Sequence, residues 1–210
     1  MGLIFSDFIK SLAENLRKPL PGFNIQYQMA PVTRVEQLVY NNNDIPPKNS
    51  AVLALLYPEK GETMLVLMKR ATNHSVHSGQ ISFPGGQAEP YDKSDAATAL
   101  RETREELGID ISRVHILGKL TPVYISPSNF NVIPFVGYVD EKPAFKPNEE
   151  VKKVITVALW ELMKPDAKQI RKVTTKYVTA LEVPCFIVDG EILWGATAMM
   201  INELLELAKK

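Results

Sequence analysis

The sequence predicts a mixed α/β domain, and three observations carry that prediction. Short apolar runs of strand character precede, separate and follow segments of helical spacing. A charged helix with a stop signal at each end lies mid-chain, from Ser94 to Gly108. A largely apolar helix, 195–209, closes the chain. At 210 residues the chain is long enough for one domain with extensions and a full core.

In chain order, Phe5, Phe8, Ile9, Leu12 and Leu16 recur at helical spacing and predict an amphipathic helix that ends before Pro19. Docking on the main domain is the expected use of its apolar face. A membrane-surface role has only Lys10, Arg17 and Lys18 to supply positive charge. Residues 19–49 are rich in Pro, Asn and Gln and read as an extended arm. The expected organisation is thus a helix and arm over 1–49 and the main domain over 50–210. Residues 51–57 and 63–69 are strands joined in hairpin fashion by Pro58-Glu59-Lys60-Gly61-Glu62. Ile81-Ser82-Phe83 is a short strand entering Pro84-Gly85-Gly86. Ser94 is the N-cap of the charged helix, Asp95 lies in its first turn and Gly108 is its C-cap. Downstream, 114–120 and 131–139 are strands around a loop holding Pro122, Ser126 and Pro127. Strand 154–158 leads into a short helix near 160–163, and 171–178 with 182–188 forms a final hairpin.

Composition narrows the function classes. The 24 basic and 24 acidic residues cancel, which argues against nucleic acid as the main partner. The single Cys185 forms no internal disulfide and fits a reducing compartment. Its apolar surroundings, Val183-Pro184-Cys185-Phe186, favour a buried thiol over a nucleophile. No apolar run reaches the ~18–20 residues of a membrane span, and the N-terminal stretch lacks the pattern of a secretory signal. Cytoplasm is the expected location.

The residues with chemistry are Arg101-Glu102-Thr103-Arg104-Glu105-Glu106-Leu107-Gly108. On a helix Glu102, Glu105 and Glu106 share one face, while Ala96, Leu100, Thr103 and Leu107 form an apolar stripe roughly 140° away. Like charges at i,i+4 cost about 0.2–0.5 kcal/mol per pair, so this face needs a partner. A hard divalent cation, Mg²⁺ or Mn²⁺, suits it. The plainer alternative is a solvated acidic face paired in part by Arg101.

This run resembles the Nudix box: Gly, five residues, Glu, seven residues, Arg-Glu, an apolar residue, any residue, Glu-Glu, any residue, Gly, apolar. Arg101, Glu102, Glu105, Glu106, Gly108 and Ile109 meet its second half, with Thr103 at a position that is usually apolar. A one-residue insertion brings Gly86 and Asp92 into the first-half roles, with Glu89 a second acidic candidate. Upstream, Val66-Leu67-Met68-Lys69-Arg70-Ala71, then Gly79 and Phe83-Pro84-Gly85-Gly86, resembles the segment preceding the box in coenzyme A diphosphatases. Ser75 stands where that subfamily has Arg. Trp194-Gly195-Ala196-Thr197 and Thr121-Pro122-Val123-Tyr124-Ile125-Ser126 resemble later parts of the same subfamily.

The resemblance implies a Nudix fold, a mixed β-sheet sandwiched between α-helices. It implies metal-dependent hydrolysis of a diphosphate bond in a small nucleotide derivative. Coenzyme A or acyl-CoA is favoured, giving 3′,5′-ADP and (acyl-)4′-phosphopantetheine. Ser75 keeps open a broader diphosphatase acting on ADP-ribose, dinucleotides or nucleoside triphosphates; a non-catalytic nucleotide-binding module is the rival of a different class. Glu102, Glu105 and Glu106 are the implied metal ligands, and Arg101 their orienter. Glu102 and Glu150 are both candidates for the base. Arg70, His77, Gly85 and Gly86 are expected to meet the substrate. Tyr124, Ser126 and Asn129 are further candidates for the pocket, and a homodimer is left open.

Overall fold

Strand β1 (Lys48–Glu59) is buried on both faces, and the domain is arranged around it. Its continuous apolar run sends Ala51, Leu53, Leu55 and Tyr57 into one core cluster and Val52, Ala54 and Leu56 into another. The computed structural model describes residues 5–31, 46–72, 78–174 and 178–209. The further strands are β2 (Glu62–Arg70), β3 (Ile81–Ser82), β4 (Gly85–Gln87), β5 (His115–Lys119), β6 (Val123–Ile125), β7 (Phe130–Tyr138) and β8 (Val151–Ala158). These form one mixed sheet along β3-β2-β1-β7-β5, with β4 on β1, β6 on β7 and β8 on β2. The β1–β7 pairing is parallel and the others are antiparallel.

Helices cover both faces of this sheet. The charged helix, α3 (Asp95–Leu107), contributes Ala99 and Leu107 to the cluster under Leu53 and Leu55. On the other face lies the closing helix, α5 (Gly195–Ala208), joined by the N-terminal α1 (Phe5–Leu16). Asn15 of α1 donates to the Leu207 carbonyl at 2.9 Å, so the helix docks as its apolar face suggested. A short helix, α4 (Leu159–Met163), follows β8 as expected.

Four segments differ from the sequence reading. Residues 19–31 are not an extended arm: α2 (Phe23–Gln26) and a 3-10 turn (Tyr27–Met29) carry Met29 and Ala30 into the core. The reason is a buried carboxyl. Glu203 on α5, with no exposed surface, accepts from Gly22 N (2.9 Å), Gln26 Nε2 (2.8 Å), Thr121 N (3.1 Å) and Thr121 Oγ1 (2.6 Å). The loop after Pro122 contains a strand, β6, too short to show alternation. The final hairpin is a three-stranded antiparallel sheet of β9 (Lys168–Val173), β10 (Leu181–Val188) and β11 (Glu191–Trp194). Its first strand is charged and largely exposed, which hides the strand pattern. Finally, the buried stripe of α3 is Thr98, Ala99, Thr103, Glu106 and Leu107, with Ala96 and Leu100 only partly covered. The helix is therefore rolled so that its carboxylate side turns toward the sheet. No helix among the described residues is long and apolar enough to cross a membrane.

Glu203→Ala leaves four donors without their acceptor. It is expected to lower unfolding free energy by about 3 kcal/mol or more in a urea titration; a loss below about 1 kcal/mol would show that the network contributes little.

Candidate active site

Local chemistry fixes α3 at both ends. The Ser94 side chain accepts from Ala97 N at 3.2 Å, and Gly108 closes the helix in the left-handed region (φ 65°) with its N–H on the Arg104 carbonyl. Thr103 uses its hydroxyl on the Ala99 carbonyl (2.7 Å), which accounts for a polar residue at a buried position. The same helix end anchors the loop before β8. Lys146 N donates to Leu107 O (2.8 Å) and Asn148 N to Glu106 O (3.0 Å). Glu150 follows two residues later and is thereby brought to the helix from far along the chain.

Gly85 and Gly86 are strand residues paired with Val52 and Ala51. What they provide is close approach. A Cβ on Gly85 would lie 2.4 Å from the Ala51 carbonyl oxygen, and one on Gly86 would lie 2.5 Å from the Glu102 carboxyl carbon. The bare Gly86 therefore lets the Glu102 carboxylate press against backbone, and the bare Gly85 lets β4 press against β1. Glu106 Oε2 accepts the Gly85 N–H at 2.8 Å. Ser50, which the sequence reading passed over, holds this strand in place by donating its hydroxyl to Gly86 O at 2.7 Å.

Arg101 organises the solvent side. Its Nε and Nη2 make a bidentate pair with Asp92, both at 3.0 Å, and Nη2 also donates to Gln87 O at 3.0 Å. Nη1 donates to Glu102 Oε1 (2.8 Å) and Glu105 Oε2 (3.1 Å). Every face of the fork is engaged within the protein. Asp92, found in the sequence only by allowing one inserted residue, is thus the partner of Arg101. The guanidinium holds the Asp92 carboxyl well below its ordinary range. Tyr91, 69% exposed, places its ring 5.7 Å from the same guanidinium.

The three helix glutamates occupy different environments. Glu106 is buried, with 2% of its side chain exposed, Glu102 is mostly covered at 17%, and Glu105 is half-exposed at 46%. Burial pushes the Glu106 carboxyl up to about 7, against the lowering influence of Arg70 and the Gly85 N–H. Burial also raises Glu102, opposed by Arg101 and reinforced by Glu105 and Glu150. Glu106 Oε1 is buried without a hydrogen-bond donor. Its compensation is Arg70, whose Nη1 lies 3.3 Å from that oxygen and whose Nη2 lies 3.7 Å from Glu150 Oε2. A register shift at Lys69/Arg70 ends the regular β2–β8 pairing there.

Glu102, Glu105, Glu106, Glu150, Arg70, Arg101, Gly85 and Gly86 thus fall in one neighbourhood. His77 and Ser75 lie outside the described residues. Tyr124 and Asn129 meet each other, hydroxyl to amide oxygen, at 2.9 Å. Among the described residues, no three His, Cys, Asp or Glu side chains converge as they stand on a metal position; Arg101 bridges Glu102 and Glu105, and Arg70 spans Glu106 and Glu150. The donor set nonetheless fits a hard divalent cation, because a buried carboxylate with an orphaned oxygen beside a second covered carboxylate is what such a cation relieves. A cavity of about 590 Å³ lies elsewhere, between β8 and the end of β10, and holds none of these residues.

The Glu106 carboxyl binds its proton more tightly in the folded chain than its ordinary 4.5 would allow. Between about pH 4.5 and about pH 7 the native state then holds more protons than the unfolded one, so stability falls as pH rises, by at most roughly 1.4 kcal/mol per unit. Urea titrations of the metal-free chain at about pH 5 and about pH 7 should show this fall, and Glu106→Gln should remove most of it. An identical pH dependence in both proteins contradicts the assignment.

Comparison with known proteins agrees with this fold. A family profile described as the NUDIX domain matches residues 47–177. Nudix hydrolase 22, chloroplastic, of Arabidopsis thaliana is 38% identical over 135 residues, 64% of this chain but only 41% of that protein's length. NudL of Yersinia enterocolitica, an uncharacterized Nudix hydrolase, is 36% identical over 161 residues, 75% of this chain and 82% of the relative. A MutT/nudix family protein from Enterococcus faecalis superposes with a TM-score of 0.52 over 86% of this chain and 70% of that one; at 15% identity this likeness concerns the fold alone. The profile takes in every strand from β1 to β9, well over half of the chain, and on that ground the chain belongs to the Nudix family of hydrolases.

Proposed function

We propose that this chain hydrolyses the diphosphate bond of a small nucleotide derivative, with coenzyme A or acyl-CoA as the favoured substrate. The observation that carries the reading is Glu106: a buried carboxylate with one orphaned oxygen, beside Glu102 and within reach of Arg70. Glu102 and Glu106, with Glu105 at the exposed rim, are the residues to hold Mg²⁺ or Mn²⁺. Bound there, the cation supplies charge neutralisation at the diphosphate and a more acidic water.

The remaining steps belong to the chain's own groups. Arg101, saturated by protein acceptors, orients Glu102 and Glu105 and has no donor left over for substrate. Glu102, whose proton affinity is raised by burial, and Glu150, at the rim, are the two candidates to take the proton of the attacking water. Arg70, a quarter exposed, is the proposed partner of a phosphate oxygen. The bare backbone of Gly86 lets Glu102 approach closely, and Gly85 with Gly86 is the backbone proposed to meet a phosphate group. The preference for coenzyme A rests on the segment from Val66 to Gly86, and Ser75 favours the second reading, a broader diphosphatase acting on ADP-ribose or dinucleotides. The lone, buried Cys185 is consistent with a cytoplasmic setting.

Purified protein with Mg²⁺ or Mn²⁺, offered coenzyme A, ADP-ribose, NADH and nucleoside triphosphates, should release 3′,5′-ADP fastest from coenzyme A. Preference for ADP-ribose would replace the substrate, not the chemistry. Glu106→Gln should lower kcat by about 10²-fold or more with the fold retained; near-normal turnover would remove the metal assignment. Tight nucleotide binding without turnover would favour a binding module.

A further inference from the structure

We propose that Arg70 is an exchangeable counter-ion: its guanidinium compensates Glu106 and Glu150 in the cation-free protein and passes to the substrate diphosphate when a divalent cation binds. This rests on the reading of Glu102, Glu105 and Glu106 as the cation-holding carboxylates.

The two arginines of the site are held in opposite ways. Arg101 makes five directed hydrogen bonds of 2.8–3.1 Å and is only 11% exposed. Arg70 approaches Glu106 Oε1 at 3.3 Å and Glu150 Oε2 at 3.7 Å, and neither contact is a directed hydrogen bond. A guanidinium that supplies charge without spending its donors loses little by leaving. Glu106 has its other oxygen on the Gly85 N–H, which aims the carboxylate independently of Arg70.

The backbone beneath Arg70 is held by hydrogen bonds, whereas among the described residues its tip is held by two ion pairs alone. Arg70 N donates to Gln80 O (3.0 Å), Ala71 N donates to Glu150 O (2.7 Å), and the strand register shifts at this residue. With 26% of the side chain exposed, the tip can turn outward on a rigid base. A guanidinium and a divalent cation cannot both sit against Glu106 without repelling each other. At a separation of ~5–6 Å and an effective dielectric between that of water and ~20, this repulsion weakens cation binding by about tenfold or more. The displaced fork, with its donors free, matches a pair of phosphate oxygens. Arg70 would therefore oppose the cation and favour the substrate. A purely structural arginine would support both.

Mn²⁺ binding to the full chain, by calorimetry or electron paramagnetic resonance without nucleotide, separates these roles. Arg70→Gln should bind Mn²⁺ about tenfold tighter than wild type, whereas Arg70→Lys, which keeps the charge, should not. With Mn²⁺ saturating, ADP should bind Arg70→Gln about tenfold more weakly. Arg70→Gln with equal or weaker Mn²⁺ affinity overturns the proposal. A wild-type chain and an Arg70→Gln chain that both take up no Mn²⁺ remove the underlying metal reading, and the proposal with it. Should Arg70→Gln not fold, wild-type crystals grown with Mn²⁺ decide: loss of the Arg70–Glu106 contact is expected, and its persistence beside the bound ion overturns the proposal.

Discussion

The site depends on one ion pair, the bidentate contact between Arg101 and Asp92. Asp92 fixes the plane of the guanidinium from the loop side. The opposite edge of the fork then reaches Glu102 and Glu105, and Nη2 ties the helix to the Gln87 carbonyl at the end of β4. Loop, strand and helix are thus locked by a single side chain. A lysine has one charge but no fork, and with three donors could not hold these five acceptor atoms in fixed directions. The Asp92 carboxyl is held low by this contact and Glu102 is kept from rising further, so the pair also decides which groups carry charge.

The second constraint is steric. Glu102 lies against Gly86 because that residue has no Cβ, while the bare Gly85 lets its strand press on β1 and present its N–H to Glu106. The consequence is an energetically awkward carboxylate, buried and only half bonded, beside a second one that is covered. Arg70 offsets part of that cost from outside hydrogen-bond geometry. A buried, half-bonded carboxylate beside a second covered one is a poor structural element, and on the function proposed above it is where a divalent cation would be held.

Much of this was legible in the sequence. Helix α3 could be read at both ends, because Ser94 and Gly108 act through local caps. Strand β1 was legible from its unbroken apolar run. What a helical wheel could not show is where the sheet lies, so Glu106 reads as one of three equivalent acids when it is the buried one. The Asp92–Arg101 pair spans a loop of variable length, and the Arg70–Glu150 approach joins residues eighty apart along the chain; neither has a periodic signal. Strands β6 and β9 were obscured by shortness and by charge. The packing of residues 19–31 was hidden because it depends on Glu203, a carboxyl on a distant helix.

If Arg101 acts by presenting the glutamates, its effect on turnover must run through Asp92. The direct measurement is a double-mutant cycle of Asp92→Asn and Arg101→Lys on kcat/KM, with folding checked separately. Each single change is expected to remove most of the activity and the double change little more, a coupling of about 1–3 kcal/mol. Additive losses, or an Arg101→Lys protein that turns over normally, would contradict the organising role of this ion pair.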